Sequence, residues 1–166
     1  MDEILIQFKE VVDEEIQAYE EMSELYTAKQ SILIQGKSDA LWDIDAKILS
    51  VAENLKGLNQ KRKSVAKYLG NEDLTMTEAI EKAKESNDSL AGSLMEQKSK
   101  ISLIANAIKL QEKTNMTLIQ HGLVMVGKTL DIIVGAFAPQ ATGQYDKYGQ
   151  NISARESLKS SVEEEA

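Results

Sequence analysis

The chain has 166 residues, a formal net charge of -8 at pH 7, a single proline and no cysteine. The acidic balance argues against nucleic-acid binding and against adsorption to anionic lipid, because both depend on clustered basic side chains. Without cysteine there is no disulfide framework, thiolate metal site or thiol nucleophile. The length fits one domain or one elongated bundle, and the abundance of Ala, Leu, Ile, Glu and Lys predicts helix almost throughout.

The first predicted helix covers residues 2–35, where large apolar residues recur three or four positions apart with acidic residues between them. This pattern is typical of an amphipathic helix. Gly36 is expected to end the helix in the left-handed conformation, and Ser38 or Asp39 to cap the next one. The chain begins with two acids rather than a basic segment and an unbroken apolar run, so we expect no signal peptide and a cytoplasmic location.

The second predicted helix covers residues 39–69 and carries a heptad seam. The seam residues alternate spacings of three and four: Leu41, Ile44, Ile48, Val51, Leu55, Leu58, Arg62, Val65 and Leu69. The gap from Gly36 to the start of this helix is so short that the first two helices should form an antiparallel hairpin. Gly70 is expected to close the helix.

A short connecting helix is predicted at residues 76–85, because Thr75 and Glu78 match the capping-box pattern. The third long helix is predicted at residues 89–137, where Gln111 and Asn115 fall in seam positions and need polar partners. Pro139 should end it. The predicted fold is therefore an all-α elongated antiparallel bundle of three long helices within residues 1–137, followed by a flexible, disordered C-terminal tail at 138–166.

The end of the third long helix carries two apolar stripes at helical spacing. The first contains Leu118, Met125 and Ile132, and the second contains Ile119, Leu123, Val126, Leu130, Ile133 and Phe137. At 1.5 Å per residue the three helices measure roughly 50, 50 and 70 Å, so about a dozen residues of the last one lack a partner within the bundle. Exposed apolar side chains of this kind indicate a binding surface.

Three alternatives remain for the second stripe. The helix could break near Asn115 and fold back, two copies could dimerise through the stripe, or the segment could lie in a membrane surface. Insertion across a membrane is not expected, because Gln120, His121, Lys128 and Asp131 interrupt the apolar stretch.

No residue pattern supports catalysis or a cofactor. His121 is the single histidine and has no HxxxH or HxxE arrangement around it, so a metal site is not expected. The acidic residues that could supply paired carboxylates lie opposite the apolar stripes and should be solvated: Glu14, Glu15, Asp43 and Asp45. The sequence therefore predicts a binding protein, not an enzyme.

Three stretches resemble the FlgN-type flagellar export chaperones. The first covers residues 41–70 and ends in LNQKRKSVAKYLG, with Arg62 in the seam. The second covers residues 115–137 and begins with the family's Asn-x-x-Leu-Ile/Leu segment. The third is YDKYG at 145–149, which is similar to the family's Tyr-x-x-x-Gly tail motif. The resemblance implies a cytoplasmic chaperone that holds the terminal segments of hook–filament junction proteins and escorts them to the type III export gate. It implies neither ATP nor catalysis.

By this resemblance the client-binding residues are Asn115, Leu118, Ile119, Leu123, Val126 and Leu130, and the apolar stripe adds Ile133 and Phe137. The residue implied to dock at the export gate is Tyr145. Tyr148 places a second aromatic inside the motif, so which of the two tyrosines docks stays open.

Overall fold

The computed structural model describes residues 1–137, with the side chain of Phe137 outside the description. Four helices make up this part of the chain: α1 at Asp2–Gln35, α2 at Asp39–Tyr68, α3 at Met76–Ser86 and α4 at Asp88–Phe137. Residues 1–137 contain no strand, and the all-α class is confirmed. The described residues divide into two units, the first at Met1–Ile119 and the second at residues 120–137.

In the first unit, α1 and α2 run antiparallel, as predicted. Lys29 pairs with Asp45 at 2.6 Å and Lys61 pairs with Glu14 at 2.7 Å, so the number of the α2 residue falls as that of the α1 residue rises. The helix α4 runs parallel to α1, because its residue numbers rise together with those of α1. Gln97 thus bonds the carbonyl of Lys9, and Asn115 bonds the carbonyl of Tyr26.

Local capping explains most of the helix ends. Gly36 has φ 66° and follows α1, and its N–H and that of Lys37 donate to carbonyls in the last turn, as in a Schellman motif. The capping box between Thr75 and Glu78 is present. The backbone N–H and hydroxyl of Thr75 both donate to the Glu78 carboxylate and thereby lower its pKa. Ser38 or Asp39 was predicted to cap α2. Ser38 does occupy the position before the first residue of α2, but its backbone is helical and its side chain does not make the predicted capping bond.

The main core lies where α1 begins, α2 ends and α3 joins α4. Phe8 and Leu5 from α1 are fully buried there together with Leu94 from α4, and α3 contributes Ala79, Ile80 and Ala83. A smaller cluster formed by Ala18, Met22 and Val51 continues the core between α1 and α2. The short helix α3 is therefore part of the core and not only a connector.

A charged pair interrupts the apolar contact between α1 and α2. Arg62 Nε donates to Glu15 Oε1 at 3.0 Å, and the Glu15 side chain is 7% exposed. The prediction that Glu15 is solvated was wrong. Glu14 and Asp45 are exposed, as predicted, and each pairs with a lysine, while Asp43 is also exposed.

Replacing Arg62 with alanine should lower the free energy of unfolding by about 1–3 kcal/mol, because the Glu15 carboxylate would stay buried without its partner. Replacing both members of the pair, as in Glu15→Leu/Arg62→Met, should restore most of this loss. Urea unfolding of the three proteins measures both effects. An Arg62→Ala variant as stable as the parent would show that the pair contributes nothing to the hairpin.

Candidate partner-binding surface

Polar side chains fix the register of α4 against α1 near the end of the first unit. The amide of Gln111 donates to the Thr27 hydroxyl at 2.8 Å and accepts from the Ser23 hydroxyl at 3.2 Å. Asn115 Nδ2 donates to the Tyr26 carbonyl at 3.0 Å. The expectation that Gln111 and Asn115 occupy the seam and find polar partners is confirmed for Gln111 and for Asn115 Nδ2, whereas Asn115 Oδ1 is buried without a hydrogen-bond partner among the described residues. Shifting α4 along α1 would break these bonds, so they hold one register.

Gln97 adds a third polar contact, and the sequence analysis missed it. Its amide donates to the Lys9 carbonyl and to the carboxylate of Asp13. Burial raises the pKa of Asp13, but hydrogen bonds from Lys9 and Gln97 outweigh this effect and the pKa is lowered overall. The spacing of Gln97 from Leu94 and Ile101 already placed it on the inward face.

Three of the predicted client-binding residues belong to the first unit. Asn115 is 3% exposed, so it offers almost no surface to a partner in this conformation. Leu118 and Ile119 are half-buried at the end of that unit. The structure therefore places these three residues in or beside the contact between α1 and α4.

The second unit presents four of the predicted residues to solvent: Leu123, Val126, Leu130 and Ile133. Every residue from Gln120 to Ala136 is exposed. Eight of these are large and apolar: Leu123, Val124, Met125, Val126, Leu130, Ile132, Ile133 and Val134. Leu123 and Ile132 are 68% and 72% exposed. Phe137 ends the helix, and its side chain, like Tyr145 and Tyr148, lies outside the described residues.

One side of this segment is apolar without interruption. At 100° per residue, five side chains fall within an arc of about 100° that holds no charged residue. We call it the terminal apolar face, and it consists of Leu123, Val126, Leu130, Ile133 and Val134. Val134 was missed by the sequence analysis, although its position four residues after Leu130 places it on this face. Met125 and Ile132 lie on the opposite side of the helix.

The exposure has an energetic consequence. Covering a large aliphatic side chain contributes about 1.5–3 kcal/mol, and soluble monomers seldom leave several of them uncovered next to one another. A helix of this kind binds the apolar side of another helix, with anchors three or four residues apart. The alternative in which the third long helix breaks near Asn115 is wrong, because α4 is continuous from Asp88 to Phe137.

Within residues 1–137, α4 is the one helix long and apolar enough to cross a membrane by length and composition. A single stretch of this kind is weak support for a span. Lys128 and Asp131 lie within it, and at the centre of a bilayer each would cost about 2.5–3.5 kcal/mol on insertion scales.

The described residues contain no group of three or more His, Cys, Asp or Glu side chains that could hold a metal ion. His121 is exposed on α4. The site that the structure offers is thus an apolar surface for a partner.

The sequence model of the family described as FlgN protein matches residues 1–152, a span that contains all four helices and the segment with Tyr145 and Tyr148. The comparisons with curated proteins and with solved structures found no match. FlgN proteins are export chaperones of the flagellum, a family of binding proteins and not of enzymes. Since one family model covers most of the chain, this protein belongs to the FlgN family of flagellar export chaperones.

Proposed function

We propose that this protein is a cytoplasmic chaperone that binds the amphipathic terminal segments of hook–filament junction proteins and delivers them to the flagellar type III export gate. The family membership supports the general role of an export chaperone. The observation that carries the proposal is the terminal apolar face, which is exposed along its whole described length. The client class and the export gate follow from the resemblance of the motifs.

The client contact is an apolar helix packed along α4. Leu123, Val126, Leu130 and Ile133 supply the anchors, and Phe137 extends them by its position in the helix. Leu118 and Ile119 contribute through the part of their surface that stays accessible. Asn115 supports this contact indirectly, because its buried amide donates to the carbonyl of Tyr26 and holds α4 in register.

Chaperoning then works by mass action. A client segment held on the terminal apolar face is withdrawn from aggregation and from premature assembly, and the free concentration of the unassembled form falls. Competition at the export gate, acting through the C-terminal segment, releases the client. No nucleotide hydrolysis and no cofactor enter this cycle.

Calorimetric titration of the purified protein with the terminal segments of a junction protein from the same bacterium tests the proposal. We expect one segment to bind per chain, with a gain of helix in circular dichroism as the segment orders. The proposal would be contradicted if the segments bound an unrelated helical bundle as tightly as they bind this protein.

Replacing Tyr145 with alanine should reduce secretion of the client and leave the chaperone–client complex intact, because the proposed gate contact lies outside the client surface. Tyr148→Ala tests the second aromatic of the motif in the same way. Tyr68→Ala is a matched control, since Tyr68 is 78% exposed on α2. Secretion assays and co-purification separate the two roles, and loss of the complex in Tyr145→Ala would contradict this division.

The exposed terminal apolar face also supports self-association as an alternative, since a second copy could cover the same side chains. Light scattering over a range of protein concentrations decides between client binding and self-association through this face. A protein that is monomeric at every concentration would exclude self-association, whereas a dimer that the client segment cannot dissociate would favour self-association.

A further inference from the structure

A second exposed apolar surface lies inside the first unit, in a groove of about 720 Å³ between α3 and α4. Ile80 from α3 is 6% exposed and forms part of the lining. Met95 and Leu103 line it from α4 and remain 51% and 71% exposed. Small polar side chains from both helices also line it: Thr77, Ser99 and Ser102. The groove is open to solvent and exposes two large apolar side chains of α4.

Two lysines line this groove, although the protein as a whole is acidic. Lys84 from α3 and Lys98 from α4 line it together with one acid, Glu81. Lys98 Nζ donates to the Thr77 hydroxyl at 2.8 Å, which holds that ammonium group at the junction of the two helices.

The same charge pattern continues along the outward side of α4. Over residues 95–117, at 100° per residue, the arc that contains Met95, Leu103 and Leu110 also contains Lys98, Lys109 and Lys113 but no carboxylate. Glu96 and Glu112 fall beyond its two edges. Since the chain carries a net charge of -8, this basic and apolar arc contrasts with the protein's overall charge.

We propose that the groove between α3 and α4 is a docking site for an acidic amphipathic helix of a partner protein. Apolar side chains of that helix would cover Met95 and Leu103, and its carboxylates would lie beside Lys84 and Lys98. A second copy of the chain would bring lysines against lysines on this surface, which disfavours self-pairing. A bilayer is flat where the groove is concave, and the net negative charge opposes anionic lipid. This site uses none of the residues of the terminal apolar face, so it is independent of the proposed client contact.

Methyl NMR of the full chain with ¹³C-labelled methionine tests the proposal. Met95 reports on the groove, and Met125, which is exposed in the second unit, reports on α4 beyond it. The probe is a synthetic leucine–glutamate amphipathic peptide of about five helical turns. A leucine–lysine peptide with the same apolar pattern is its charge control. We expect a saturable shift of the Met95 methyl with the acidic peptide and about tenfold weaker binding of the basic one at physiological salt.

Two charge-reversed variants locate the binding. Lys84→Glu/Lys98→Glu should weaken binding of the acidic peptide by about tenfold or more. Lys47→Glu/Lys56→Glu changes the net charge equally at exposed lysines of α2 and should alter the affinity by less than about twofold, because salt screens distant charges. Circular dichroism confirms that both variants are folded.

The proposal is overturned if the Met95 methyl resonance does not shift at the highest concentration of acidic peptide, or if only the Met125 methyl resonance shifts. An equal loss of affinity in both variants would also overturn it, since the effect would then be one of net charge. A shift of Met95 by vesicles of anionic phospholipid, without any shift by the acidic peptide, would assign the surface to lipid instead.

Discussion

Replacing Leu123 and Leu130 with aspartate should abolish client binding and leave thermal unfolding and helical content almost unchanged. The two side chains are 68% and 55% exposed, so their replacement removes no core contact. Two carboxylates on the terminal apolar face would have to be desolvated by an apolar client helix, at a cost of several kcal/mol. Calorimetric titration with a junction-protein segment and a thermal scan measure the two effects.

The matched control is Ile34→Asp/Leu49→Asp. These residues are 67% and 62% exposed, and both lie in the first unit. This variant introduces the same two charges at exposed apolar positions and should bind the client normally. A large fall in melting temperature for Leu123→Asp/Leu130→Asp would indicate that these leucines are buried in the free protein.

Replacing Phe8 with alanine should have the opposite effects, lowering stability strongly while leaving the client-binding surface unchanged. Phe8 is 0% exposed in the main core, so its removal should cost about 3–5 kcal/mol of unfolding free energy and lower the melting temperature by about 10 °C or more. Ile6→Ala is the control, because Ile6 is 45% exposed on the same helix and should cost much less. Denaturant unfolding monitored by circular dichroism compares the two.

The folded fraction of Phe8→Ala should still bind the client at low temperature, because the terminal apolar face contains no residue of the main core. Equal destabilisation by Phe8→Ala and Ile6→Ala would contradict the assigned core.

Helical periodicity predicted most of the fold correctly, for a physical reason. Every residue of the predicted α2 seam, from Leu41 to Leu69, is buried or half-buried, because α2 packs along α1 by this stripe while most of its remaining surface faces solvent. The predicted helix lengths were equally informative. The third long helix is longer than the other two, so its last part was expected to lack a helix to pack against, and those residues are exposed.

Glu15 was misplaced because the acidic residues of α1 were all assigned to its solvated face. It lies seven residues after Phe8 and seven before Met22, so at 100° per residue it falls within the apolar stripe and its spacing was sufficient to predict burial. Its partner was not predictable in this way, because the contact with Arg62 depends on the register of α1 against α2, which periodicity alone does not give. Val11 and Ala18 flank the stripe and are buried with it, because α1 contacts both α2 and α4.

Asn115 shows a second limit. A polar residue at a seam position fits either an internal hydrogen bond or a contact with a client, and the sequence pattern is the same in both cases. The structure supplies the internal partner, the carbonyl of Tyr26. Val134 is the converse case, because its helical position was sufficient to place it on the terminal apolar face.

Hydrogen exchange of the free protein and of its complex with a junction-protein segment tests the central claim most directly. If the terminal apolar face binds the client, amides of residues 120–136 should exchange readily in the free protein and become protected in the complex, while those around Phe8 and Leu94 change little. Protection that appears elsewhere in the chain, with residues 120–136 unchanged, would contradict the account.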